Sequence, residues 1–242
     1  MQRKERIAII GAGIQGVCTA LFLQKSGFKV TLFDRDEPGN AASYGNAGHF
    51  SPYASLQLNR TDILSDVPAM LLSSRGPLAI KWNYILKMLP WFTKFILNSS
   101  KSKMMHTAKY MHQILNLSLD AFDELFQEID LDDLVVNNGI IYIWENKSLK
   151  SRDLEINIRK ELGIEQQILS PKEIHDLEPN IKPFYHGGVF YKYARHARNP
   201  KKILVKLFEK FLNDGGKFLK LNIQDIDFDN KKPVLRSEAQ RF

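Results

Sequence analysis

Apolar and polar positions along this chain fall into a small number of periods. Residues 7–10, Ile-Ala-Ile-Ile, form an unbroken apolar run that predicts a strand buried on both faces. Beyond a glycine-rich turn, Val17, Ala20, Leu21 and Leu23 recur at helical spacing to Ser26, and Gly27 supplies the stop. A second strand covers Lys29 to Phe33 and ends on Asp34. Gly76-Pro77 reads as a turn. Residues 78–97 are apolar with interspersed charge, and Pro90 should break or kink any helix there, which predicts a pair of helices. After a polar break at 99–103, Met111, Ile114, Leu115, Leu119, Phe122, Leu125, Phe126 and Ile129 keep a helical period, which predicts one long helix.

The later chain is punctuated more strongly. Asn137-Asn138-Gly139 predicts a turn, and the run to Trp144 a strand. Residues 149–162 read as a helix closed by Gly163. Ser170-Pro171-Lys172-Glu173 has the form of a capping box with proline at the first helical position. A strand follows over Tyr185 to Tyr191. Asn199-Pro200 opens a helix that runs from Ile203 to Asn213, Asp214-Gly215-Gly216 stops it, and Lys217 to Leu221 returns as a strand.

The chemistry concentrates in the first turn. Gly11-Ala12-Gly13-Ile14-Gln15-Gly16 is a G-x-G-x-x-G loop set between a strand and a helix, and Asp34 lies 23 residues after Gly11. Gly11 permits the tight turn, Gly13 lets a pyrophosphate approach the backbone, and Gly16 lets the helix pack closely on the strands. The helix N-terminus offers free N–H groups and partial positive charge to phosphate. The carboxylate at the end of the second strand suits both ribose hydroxyls. This order predicts a dinucleotide site and leaves FAD and NAD both open. An acid at position 34 argues against a 2′-phosphate, although Arg35 beside it keeps NADP in view.

Composition narrows the classes. The 242 residues are 44% hydrophobic and 25% charged, with a formal charge of +7. The length suits one large domain or two modest ones. Cys18 is the single cysteine, which excludes an internal disulfide and suits a reducing compartment. The apolar stretch after the charged residues 1–6 reads as the first strand and not as a secretory segment. No run is long enough to span a bilayer. Trp82, Tyr84, Trp91 and Phe92 among Lys81, Lys87 and Lys94 suit either helices packed over a domain or a membrane surface. His106 and His112 are six apart and share no helix face, and Asp120, Asp123, Glu124 and Glu128 read as a solvated face, so no metal site is expected. Lys202, Lys206 and Lys210 form a basic stripe without interleaved aromatics, and no nucleic-acid partner is expected. Zinc, serine-hydrolase and P-loop signatures are missing from the sequence.

The glycine fingerprint, Asp34, and then Ser43-Tyr44-Gly45-Asn46-Ala47-Gly48 together resemble the FAD-dependent D-amino-acid oxidase superfamily, most closely its bacterial D-amino-acid dehydrogenases. The similarity continues in Pro90-Trp91, Gly187-Gly188-Val189-Phe190 and Asn199-Pro200, where the family has Asp-Pro. The resemblance implies an α/β fold: a Rossmann-like FAD-binding sheet of the glutathione-reductase type with an inserted α+β substrate domain. Residues 1–50 and 199–242 are expected to form the discontinuous FAD-binding domain and residues 51–198 the substrate domain. The cofactor-binding residues it implies are Gly11, Ala12, Gly13, Ile14, Gln15, Gly16, Asp34, Arg35, Ser43, Asn46, Ala47, Gly48 and Ile223, the last through its backbone near the adenine.

The same resemblance implies oxidation of the Cα–N bond of a D-amino acid to an imino acid, then to a 2-oxo acid and ammonia. The implied partner is a small-molecule amino-acid substrate, and the electron acceptor is left open, with a quinone or the respiratory chain as the candidates. Catalytic residues are not identified; His49 facing the flavin and Arg198 reaching a substrate carboxylate are the candidates. The expected location is the cytoplasm, with peripheral contact on the inner face of the plasma membrane. Family members run well over a hundred residues further, so the chain is expected to be truncated at its C-terminus with an incomplete sheet. The alternatives are a non-catalytic nucleotide-binding remnant, an FAD oxidase of glycine- or sarcosine-type amines, and an NAD-dependent oxidoreductase, against which the Ser43–Gly48 segment argues.

Overall fold

The computed structural model describes residues 5–57, 59, 67, 70–72, 79–131, 133–145, 150–230 and 232–237. The expected turn at Gly76-Pro77 and the last five residues lie outside the described residues. The chain divides into two compact units. The first comprises Met1–Phe50, Asp120–Asn137 and Arg195–Phe242, the second Ser51–Leu119 and Asn138–Ala194. Residues 120–137 were expected in the inserted domain, but here they belong to the first unit, because Leu125 and Leu134 bury themselves among its core residues.

In the first unit, β1 (Arg6–Ile10), β2 (Lys29–Asp34) and β9 (Lys217–Lys220) form a parallel sheet in the order β1-β2-β9. Helices α1 (Ile14–Lys25) and α7 (Pro200–Asn213) connect strands and cover one face. Val30 and Leu32 of β2 meet Val17, Ala20 and Leu21 of α1 and Leu204, Leu207 and Phe211 of α7. The Asn199 side chain accepts the Lys202 N–H and Pro200 fills the first turn of α7. A small antiparallel sheet joins β3 (His49–Phe50), β8 (Arg195–Ala197) and β4 (Val135–Val136). Strands β10 (Ile223–Asp229) and β11 (Lys232–Ser237) pair as a hairpin. The first strand departs from expectation: Ile7 and Ile9 are half-buried, but Ala8 and Ile10 are exposed. Strand β1 lies at the sheet edge, and α1 and α7 cover only the face carrying Ile9.

In the second unit, β5 (Ile140–Trp144), β7 (Gly187–Tyr191) and β6 (Gln167–Leu169) form an antiparallel sheet in the order β5-β7-β6. Helix α6 (Pro171–Leu177) buries Ile174 beside Leu169 and Tyr185. Its capping box is complete: Ser170 Oγ accepts the Glu173 N–H while the Glu173 carboxylate accepts the Ser170 N–H. Helix α3 (Lys101–Asn116) packs Met104 and Ala108 against Ile158 of α5 (Lys150–Glu161).

Two expectations about the helices are corrected. The long helix is two helices, α3 and α4 (Ser118–Phe126), interrupted at Leu117. There Ser118 Oγ donates to the Leu115 carbonyl at 2.6 Å, so a side chain competes for the backbone acceptor while the apolar period runs on across the break. Conversely, Pro90 does not divide residues 78–97 into a pair: a single helix, α2 (Ile85–Leu97), runs through it after a 3₁₀ turn at Trp82–Tyr84. Proline removes one donor, and the acceptor it frees belongs to Leu86, a residue well exposed to water. Among the described residues no helix is long and apolar enough to cross a membrane.

Candidate functional site

The glycine loop connects β1 to α1 in the first unit. Gly11 N donates to the Phe33 carbonyl at 2.7 Å, which ties the loop to the end of β2. A Cβ on Gly16 would lie 1.9 Å from the Gly11 carbonyl oxygen, so only glycine lets the helix begin this close to the strand. Gly13 caps α1 and has no side chain to satisfy the helix's free N–H groups, and the first turn holds no acid. Instead the Ile14 N–H donates to Ser43 Oγ at 3.0 Å, across 29 residues. The positive end of α1 therefore faces a hydroxyl from the second glycine-rich segment.

Asp34 closes the other side. Its Oδ2 accepts the Ala12 N–H at 2.7 Å and its Oδ1 accepts the Asp36 N–H at 3.0 Å. Each oxygen keeps a further lone pair for a hydroxyl donor. The Asp34 carbonyl accepts the Leu221 N–H at 2.6 Å, which places Ile223, at the start of β10, two residues beyond this anchor. Gln15 is exposed on α1, and Arg35 is exposed beside Asp36.

The segment 43–48 holds its own shape. Asn46 Oδ1 accepts the Gly48 N–H at 2.7 Å, and Asn46 Nδ2 donates to the carbonyls of Ala42 and Ser43. Gly48 has φ +67°, and a Cβ there would lie 2.7 Å from the Ala197 carbonyl oxygen, so glycine is required twice over. Its own carbonyl accepts the Ala197 N–H at 2.7 Å. Ala47 is exposed beside it. Directly after, His49 stands opposite His196 in the β3–β8 ladder, so the two imidazoles share one face of the small sheet. His49 is exposed.

Arg198 stands apart from this group. Its guanidinium meets Asp133 Oδ2 at 2.7 Å on the surface, while its N–H donates to the Leu134 carbonyl. Its neighbour Arg195 makes a two-pronged pair with Asp123, with Nη2 to Oδ2 at 2.8 Å. That guanidinium holds the Asp123 carboxyl below the usual carboxylate range against a smaller opposing effect of burial. Cys18, half-buried on α1, has its thiol pushed up to about 12 by the apolar atoms around it. It is a packing residue of the helix.

Sequence reasoning missed three side chains near the loop. Lys201 Nζ donates to Asn40 Oδ1 at 2.6 Å and lies 5.0 Å from the Tyr44 ring centre. Lys220 pairs with Glu37 at 2.8 Å. His196 joins the site only through strand pairing, and nothing local in the sequence marks it. Among the described residues no cluster of three metal-ligating side chains occurs.

A dinucleotide diphosphate fits these residues. Gly13 supplies no side-chain cap at the helix start, the glycine positions leave no Cβ in the way, and a carboxylate lies at the end of the adjacent strand. The chain matches the FAD dependent oxidoreductase (DAO) family over residues 6–241. It is 31% identical over 237 residues to a D-amino-acid oxidase of Bradyrhizobium diazoefficiens, covering 97% of this chain and 56% of that one. It is 25% identical over 232 residues to a D-amino acid dehydrogenase of Helicobacter pylori, covering 96% and 55%. The chain thus spans about half the length of the curated relatives it matches. In structure it is similar to glycine oxidase from Geobacillus kaustophilus, with TM-score 0.65 and 18% identity over 99% of this chain and 53% of that one. An α/β fold of the FAD-dependent oxidoreductases follows.

Proposed function

We propose a specific activity for this chain, which belongs to the FAD dependent oxidoreductase family: its first unit holds FAD for the oxidation of a D-amino acid. The observation that carries this reading is the start of α1, uncapped by its own residues and free of acid, with Asp34 and Ser43 converging on it. In this reading the N–H groups of Gly13, Gln15 and Gly16 receive the diphosphate, while Ser43 Oγ holds that of Ile14. Asp34 accepts from the ribose hydroxyls, the Ile223 backbone lies by the adenine, and Ser43 with Asn46–Gly48 lines the remainder. When bound, FAD supplies the two-electron acceptor for oxidation at the substrate's α-carbon, and the imino acid is hydrolysed to a 2-oxo acid and ammonia. His49 and His196, opposite each other in the small sheet, are the side chains this reading assigns to proton handling there. Arg198, paired with Asp133, serves the small sheet and not a substrate carboxylate unless that pair opens. Electrons pass to a quinone or respiratory chain acceptor, with the protein in the cytoplasm and in peripheral contact with the membrane's inner face.

The test is the visible spectrum of the purified chain after loading with FAD and removal of what is free. Retained flavin is expected, and a D-amino acid such as D-alanine should bleach it under anaerobic conditions. Gly16→Ala should abolish retention, because the added Cβ collides with the Gly11 carbonyl. Folded protein that retains no flavin overturns the reading. Bleaching by glycine or sarcosine and not by D-amino acids reassigns the substrate.

A further inference from the structure

Residues 67–119 hold seven Lys and Arg and no Asp or Glu, so the whole formal charge of +7 resides in this stretch and the rest of the chain is balanced. The same stretch contains α2, a 13-residue helix in which no side chain is fully buried. Ile85, Met88, Phe92 and Phe95 recur at helical spacing and are half-buried, which marks a narrow, less exposed seam along α2. Beside that seam runs a second apolar stripe of Leu86, Leu89, Ile96 and Leu97, all exposed, Leu86 at 76%. Only Lys87 and Lys94, seven residues apart and so on one side, interrupt the apolar circumference with charge. Trp82 in the preceding turn is 71% exposed, and Trp91 is exposed beyond the lysines.

We propose that α2 and the turn before it dock on an anionic lipid bilayer, with the helix lying in the interface plane. Three observations select a bilayer. The stripe is apolar save for Thr93, whose hydroxyl donates to the Leu89 carbonyl at 2.9 Å, as burial into an acyl boundary requires. Tryptophan and tyrosine, the residues that favour the headgroup level, stand in the turn before the helix as Trp82 and Tyr84, and Trp91 follows midway along it. The lysines stand without a single neighbouring carboxylate in sequence, which complements the negative cytoplasmic leaflet. Thirteen residues of helix rise about 20 Å, short of the roughly 30 Å hydrocarbon core, so the contact is peripheral. This deepens the membrane contact named under the proposed function and gives it a surface, but its test needs no flavin.

The experiment is flotation of the full chain with large unilamellar vesicles, of phosphatidylcholine alone or mixed equally with phosphatidylglycerol. Binding to the anionic vesicles only is expected, weakening as salt is raised. Tryptophan emission should shift to the blue on binding. Lys87→Gln with Lys94→Gln should weaken partitioning about 25-fold, at about fivefold per lysine. Leu86→Ser with Leu89→Ser should abolish the blue shift. The lysine pair is solvated, so its result stands even where the leucine pair fails to fold. Equal binding to neutral vesicles overturns the proposal, as does folded chain that floats with neither. A lipid-free oligomer that the leucine pair dissociates, without lipid binding, assigns the face to a second copy of the chain instead. Flavin retained without vesicle binding defeats this proposal and leaves the proposed function standing.

Discussion

Among the described residues, the first unit buries one connected set of twelve apolar side chains, while the second buries three sets of four, three and three. The larger set is drawn from α1, β2, α4, β8, α7 and the segment around Leu134, so the parallel sheet, its helices and the small sheet share it. In the second unit the clusters are separate, one between α3 and α5, one between α6 and a face of the sheet and one on its other face, and α2 has none. A single core resists local opening, since no element leaves without disturbing the rest. Separate clusters permit one element to shift while the others hold. The unit that carries the glycine loop is thus the one built to be rigid, as a site that must fit a diphosphate requires.

Substitution offers direct ways to break this contrast. Phe211→Ala removes the largest fully buried side chain from the shared core and should cost about 4 kcal/mol in urea unfolding. Ile174→Ala, equally buried but in a cluster of three, should cost about 2.5 kcal/mol. All three tryptophans, Trp82, Trp91 and Trp144, belong to the second unit, so their emission should report the Ile174 change and lag behind far-ultraviolet dichroism for Phe211→Ala. Coincident transitions for both variants would merge the two cores into one cooperative block.

A finer probe lies in the tyrosines. Tyr53 and Tyr191 stack with ring centres 4.0 Å apart, and the Tyr53 hydroxyl meets that of Tyr142 at 3.0 Å. Burial pushes the Tyr53 phenol well above its ordinary value, so it stays neutral. Tyr53→Phe keeps the stack and removes the hydroxyl contacts, and a loss of about 1 kcal/mol is expected in the same unfolding measurement. The smallest effect is expected at Asp123. Its folded pKa is depressed by Arg195, so the stabilisation is present above the unfolded value near 4 and lost as pH falls through the folded one. Because the Asp123 side chain is partly exposed, the amount is under about 1 kcal/mol. Asp123→Asn should flatten the fall in stability between about pH 5 and pH 3, and an unchanged slope would assign that fall elsewhere.

The contrast also governs how much of the molecule was legible in the sequence. Strand, glycine loop, helix, strand and acid could be placed from residues 7–34 because each signal is local: apolar period, glycine, terminal carboxylate. The Ser170 capping box and the Asn199 cap were readable for the same reason. The assignment of residues 120–137 was not, because an apolar period states that a face is buried and not which core receives it. The break at Leu117 was invisible, since the side-chain competition at Ser118 leaves the period intact. Asp34 and Ser43 could be marked for the site by motif, but their mutual tethering to Ala12 and Ile14 exists only in three dimensions. His196 carries no local signal, because strand pairing over long separation places it beside His49.

The lone sulfur on α1 has a consequence for kinetics. A thiol pushed up to about 12 by burial is almost wholly protonated at pH 8, and the thiolate is the form that alkylating reagents attack. Cys18 is the only cysteine in 242 residues. Its labelling therefore reports on how far the apolar surroundings of α1 loosen about one thiol, with no competing thiol to obscure the count. A ligand that clamps the start of that helix slows the labelling in proportion to the closed state it adds.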